Sequence, residues 1–141
     1  EKLQEGYSQY QQVIPNSKVA PVGLAYQYVR NNYPKVDTDG DDSSIFSWEW
    51  LYARDDFHPS PHGTLLEAFV LFATIVGKEP PTYDPSWWDT ARYMQPPDVE
   101  PLPLPTPEEA ALLQGVACAI CNVGGNLTCV EDESVNGRAG G

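Results

Sequence analysis

The sequence predicts an α/β chain, and three observations carry that expectation. Residues 19–26, "VAPVGLAY", open with the strand-like Val19, Ala20 and Val22. Residues 45–52, "IFSWEWLY", alternate Phe46, Trp48 and Trp50 with Ser47 and Glu49, the period of two expected of a half-buried strand. Residues 65–76, "LLEAFVLFATIV", and 106–120, "TPEEAALLQGVACAI", read as helices, so strand-like and helical stretches share one chain.

Each element has its own justification. Leu3, Tyr7, Tyr10 and Val13 recur at helical spacing, so residues 1–13 read as the end of a helix. "PNSK" (15–18) is a turn. The segment 19–26 contains Pro21, which has no N–H for a ladder and belongs at the edge or end of a strand. From Gly23 a helix is expected, with Leu24, Tyr28 and Val29 on one face and "NNYP" (31–34) as its stop. "KVDTDGDDSS" (35–44) is a polar acidic loop. In 65–76 apolar residues surround the helix, which predicts a largely buried one, and Gly77 is its C′ residue. Residues 78–107 hold most of the fourteen prolines and form a connection without long regular structure. Within it, 85–94 predicts a short helix capped by Asp84 or Ser86, and 96–105 an extended, polyproline-like run. Thr106 as N-cap, Pro107 at N1 and Glu109 at N3 form a capping box for the last helix. Residues 121–141 are a flexible Gly-rich tail.

Bulk properties exclude several partners. A chain of 141 residues suits one domain. Eight Lys and Arg against twenty Asp and Glu give a formal charge of −12, which argues against nucleic acid and against an anionic membrane surface. No apolar run reaches the ~18 residues of a membrane span. Residues 1–14 lack the apolar core of a signal peptide, and the chain begins with Glu rather than Met.

The densest chemistry lies in "DDFHPSPHGT" (55–64), which holds both histidines. Ser60-Pro61 before an apolar run is helix-start chemistry: Ser caps and Pro takes the first turn. A metal reading has His58 and His62 four apart, but Pro59 and Pro61 prevent a helix through His58, and a third His is absent. The catalytic reading uses Asp55-x-x-His58. A base His needs a carboxylate on its other nitrogen to fix the tautomer and stabilise the imidazolium. A tight loop before a helix holds such a pair still.

The run "LYARDDFHPSPHGTLLEAFVLFATIVGKEPP" (51–81) resembles the last catalytic block of the SGNH/GDSL hydrolases: Asp-x-x-His-Pro-Ser, a spacer, Gly, then a buried helix ending in Gly. "VAPVGLAYQYV" (19–29) and "TPEEAALLQGVA" (106–117) resemble neighbouring segments of that family. The resemblance implies the C-terminal portion of a three-layer α/β/α flavodoxin-like fold, spanning 1–120 and incomplete. It makes His58 the catalytic base and Asp55 its orienter, with Asp56 as the alternative. It implies a serine ester hydrolase acting on a small-molecule, carbohydrate or lipid ester without a cofactor. The family's Gly-Asp-Ser nucleophile block and its Gly and Asn oxyanion blocks are not identifiable. "GDDSS" (40–44) lies too close to His58 and lacks a strand-to-helix context. The expectation is therefore a fragment whose nucleophile lies upstream, inactive alone. The competing expectation is a non-catalytic acidic interaction module.

Other motifs are weaker. "DTDGDD" (37–42) starts like an EF-hand loop but places Asp42 and Trp48 where Gly and Glu are required. "CAIC" (118–121) closes a helix rather than opening one, and with Cys129 gives only three thiols. Trp87 and Trp88 suit either a sugar platform or the sealing of a fold's edge.

Overall fold

The structure, a computed structural model, describes residues 2–34, 46–89 and 101–124, with side chains from residue 5. Among them the chain forms four α-helices: α1 (Lys2–Val13), α2 (Val22–Asn32), α3 (Pro61–Val76) and α4 (Pro107–Cys121). Two 3-10 turns, Trp48–Leu51 and Pro85–Trp88, lie between them. No strand or sheet occurs among the described residues, which overturns the α/β expectation and the flavodoxin-like layering. The one β-type pairing among them is an isolated antiparallel bridge between Tyr52 and Pro59.

Both strand assignments fail for physical reasons. Pro21 sits at ψ 47°, outside the extended region, and offers no N–H, and no strand among the described residues accepts the segment 19–21. The Val22 N–H turns back to the Ala20 carbonyl (2.9 Å), and α2 starts there, one residue before Gly23. In 45–52 the aromatics do not alternate across a sheet. Trp50 N–H bonds Ser47 O at 3.0 Å and Tyr52 N–H bonds Glu49 O at 3.1 Å, a tight turn of period three. That turn gathers the aromatics into a cluster: Phe46 meets Tyr33 and Trp50 edge-on, and Trp48 meets Tyr52. Burial of aromatic area, rather than a ladder of hydrogen bonds, is the reason for the pattern.

The core lies between α3 and α4. Leu65, Leu66, Phe69 and Val70 of α3 pack with Ala110, Leu113, Val116 and Ala117 of α4, joined by Ala25 and Val29 of α2 and by Phe46 and Leu51. Leu66 and Leu113 are fully buried, each worth about 2 kcal/mol in transfer. α3 is not apolar-buried all round: Leu71, Ile75 and Val76 remain exposed. None of the described side chains of α1 belongs to the core, and Tyr7, Tyr10 and Val13 face solvent.

The helix ends follow local chemistry. Ser60 Oγ accepts the N–H groups of His62 and Gly63, Pro61 follows it, and Gly77 closes α3 in the left-handed region at φ 71°. Lys18 Nζ donates to the carbonyls of Thr74 (2.9 Å) and Ile75 (3.2 Å), capping α3 across a long sequence separation. In α4 both bonds of the Thr106–Glu109 capping box are present. Asp84, rather than Ser86, caps the turn at 85–88. The acidic loop 35–44, residues 90–100 and the tail from 125 lie outside the described residues.

Candidate active site

The 51–60 segment is a short hairpin that delivers the candidate base. Ser60 N–H donates to Leu51 O (2.9 Å) and Ala53 N–H to His58 O (2.7 Å), flanking the Tyr52–Pro59 bridge. Asp56 turns the tip at φ 55°, with its N–H on Ala53 O. Ser60 Oγ also donates to the Trp50 carbonyl, so one side chain ties the hairpin stem to the first turn of α3.

Gly63 makes this junction possible. A Cβ there would run into the Leu51 carbonyl, the Tyr26 hydroxyl and Pro59. The Tyr26 hydroxyl donates to Glu67 Oε1 (2.9 Å), one turn along α3, and its ring packs edge-on against Tyr52. Burial and the Glu67 carboxylate push the Tyr26 phenol up. α2, the hairpin and α3 therefore meet at one point beneath the loop.

At the loop tip Asp55 and His58 form a pair. His58 Nδ1 lies 2.6 Å from Asp55 Oδ2. Asp55 Oδ1 accepts the N–H groups of Phe57 (3.1 Å) and His58 (2.9 Å). The bond to His58, then those two backbone N–H groups, hold the Asp55 carboxyl down at about 2. An ionised carboxylate only accepts, so the bonded ring nitrogen donates, and in the neutral ring Nε2 keeps its lone pair. Nε2 has no hydrogen-bond partner among the described residues. The side chains are 70% and 52% exposed for His58 and Asp55, so the pair is open to a reacting partner and weakened by solvent. Phe57, also exposed, sets its ring perpendicular to the imidazole at 5.1 Å. Of the two aspartates considered as orienters, Asp55 makes the contact and Asp56 does not.

His62 does not join His58. It is buried in the first turn of α3, with Nε2 3.1 Å from Glu109 Oε2. Sequence reasoning missed this pair because 47 residues separate its members; the only local sign was Glu109 in the capping box. Among the described residues no three His, Cys, Asp or Glu come together to hold a metal. Cys118 is buried, its thiol pushed up by burial and then by Glu79, while Cys121 is half-buried. Neither is disulfide-bonded, and Cys129 lies outside the described residues. Trp88 packs against the core and Trp87 is exposed beside Tyr83. The EF-hand-like stretch and "GDDSS" lie outside the described residues. No described helix is long and apolar enough to cross a membrane.

The pair can take a proton at Nε2 and stabilise the resulting imidazolium through Asp55, which is general-base chemistry. Comparison with family models, with curated proteins and with solved structures finds no match for this chain.

Proposed function

We propose that this chain carries the base half of a serine ester hydrolase centre, His58 as general base and Asp55 as its orienter. The observation that carries the reading is the 2.6 Å Asp55–His58 bond on the ring nitrogen opposite an Nε2 that bonds nothing among the described residues, with Asp55 fixed by two backbone N–H groups. The Asp-x-x-His-Pro-Ser block supports kinship with the SGNH/GDSL hydrolases, and the helical fold lends that kinship no support. In the reaction a serine hydroxyl approaches Nε2 and attacks the acyl carbon as its proton passes to the imidazole. Asp55 stabilises the cation, and the same proton is then given to the leaving alkoxide. No serine side chain bonds Nε2 among the described residues, and the proposal places the nucleophile and the oxyanion donors outside them. The substrate is an ester of a small molecule, carbohydrate or lipid.

The test is p-nitrophenyl acetate hydrolysis by the protein expressed from its complete reading frame. His58→Ala brings the rate to background, and Asp55→Asn lowers it by several orders of magnitude, up to about 10⁴. Turnover in His58→Ala equal to the unaltered protein overturns the assignment. Activity removed by a chelator argues instead for metal chemistry.

A further inference from the structure

His62 is the second histidine of the chain and, unlike His58, only 2% of its surface is exposed. The carboxylate oxygen it meets, Glu109 Oε2, also accepts the Thr106 N–H at 2.7 Å. Burial pushes Glu109 up, but the Thr106 N–H and His62 pull it further down, and it stays ionised. The proton shared with it therefore belongs to His62 Nε2. Burial lowers His62 more than Glu109 raises it, which favours the neutral ring. Nδ1 is then a bare acceptor, and it makes no hydrogen bond among the described residues.

A cavity of about 200 Å³ lies beside this ring, walled by Trp50, Tyr52, Ser60, His62, Leu102 and Pro103, with the exposed Glu49. Ser60 and His62 are its two buried polar side chains. Ser60 has no capacity left, since its hydroxyl donates to Trp50 O and accepts from two N–H groups. His62 is thus the one buried side chain on the wall with an acceptor still unbonded among the described residues. The other walls are largely apolar: Trp50 meets the imidazole edge-on at 5.6 Å, and Leu102 and Pro103 come from the stretch before α4.

We propose that this cavity binds a small alcohol or phenol, its hydroxyl donating to His62 Nδ1 and its apolar body resting against Trp50, Leu102 and Pro103. An apolar cavity of about 150 Å³ holds one benzene ring, so this one suits a ring with a single hydroxyl. An anion does not fit, because the site offers it an acceptor and no countercharge, and the one charged side chain on the wall is the exposed Glu49. The site stands apart from Asp55 and His58 and does not rest on the reading of that pair.

The test is a titration of the 141-residue chain with phenol and, separately, toluene, followed by long-range ¹H–¹⁵N NMR of the two histidines. Phenol shifts His62 Nδ1 and leaves His58 unmoved, and toluene, which lacks the donor, binds about tenfold more weakly. Leu102→Trp fills the cavity and removes phenol binding. Equal binding of phenol and toluene, or a His62 Nδ1 signal that phenol does not move, overturns the proposal. So does unchanged binding by a folded Leu102→Trp chain. Should that variant not fold, the comparison of the two ligands on the unaltered chain decides alone.

Discussion

Gly63→Ala isolates the junction on which the candidate site rests. The position lies in the first turn of α3 at ordinary helical dihedrals, so propensity alone favours Ala by up to ~1 kcal/mol. The structure reverses that sign. The new methyl runs into both the Leu51 carbonyl and the Tyr26 hydroxyl, so both anchors, or the first turn of α3 itself, have to move. Overpacking a close contact of this kind costs about 1–3 kcal/mol. If the Leu51 carbonyl moves, the 2.9 Å bond from Ser60 N–H is lost as well, about 1 kcal/mol more. The net expectation is destabilisation of about 1–3 kcal/mol, or roughly 3–10 °C in melting temperature for a chain of this size. Gly23→Ala is the matched control: a methyl at that position has nothing within 4 Å, and the change is expected to stabilise by about 0.5 kcal/mol. Urea unfolding followed by circular dichroism measures both. A Gly63→Ala chain as stable as its parent, or more stable, refutes the packing conflict.

The remaining expectations concern charge and capping. Asp55 is depressed in the folded chain, so whatever stability its pairing supplies is present above pH ~4 and is lost as pH falls toward about 2; Asp55→Asn should flatten that part of the acid-unfolding profile, and added salt should weaken the effect. His62 is also depressed, so the unfolded chain takes up its proton first, and stability should fall as pH drops below ~6.5; His62→Gln should remove that step. Thr106→Ala removes the cap of α4 and should cost about 1 kcal/mol in the same urea assay, with no loss if the box is unimportant.

What the sequence disclosed about the fold was its local chemistry. Ser60-Pro61, Gly77 and the Thr106–Glu109 box each act within a few residues, and each ends or starts a helix where expected. The Asp55–His58 pair was legible for the same reason, since three residues and a turn bring the two side chains together. Tertiary choices were not legible. Phe46, Trp48 and Trp50 have the period of a strand, but burial against Tyr33, Tyr52 and His62 draws them together, with Trp48 and Trp50 in a 3-10 turn. Val19 and Ala20 look strand-like, yet no strand among the described residues pairs with them. Lys18 on the end of α3, Tyr26 on Glu67 and His62 on Glu109 join residues 41 to 57 apart, and no local pattern records such contacts.

The central claim is that Asp55 fixes His58 with Nε2 free to accept a proton. Long-range ¹H–¹⁵N NMR of the neutral His58 ring tests it most directly. The expected result is a proton on Nδ1 and a bare Nε2, with Asp55→Asn returning the ring toward the mixture in which Nε2–H dominates. A neutral His58 that carries its proton on Nε2 in the unaltered chain, indifferent to Asp55→Asn, would contradict it.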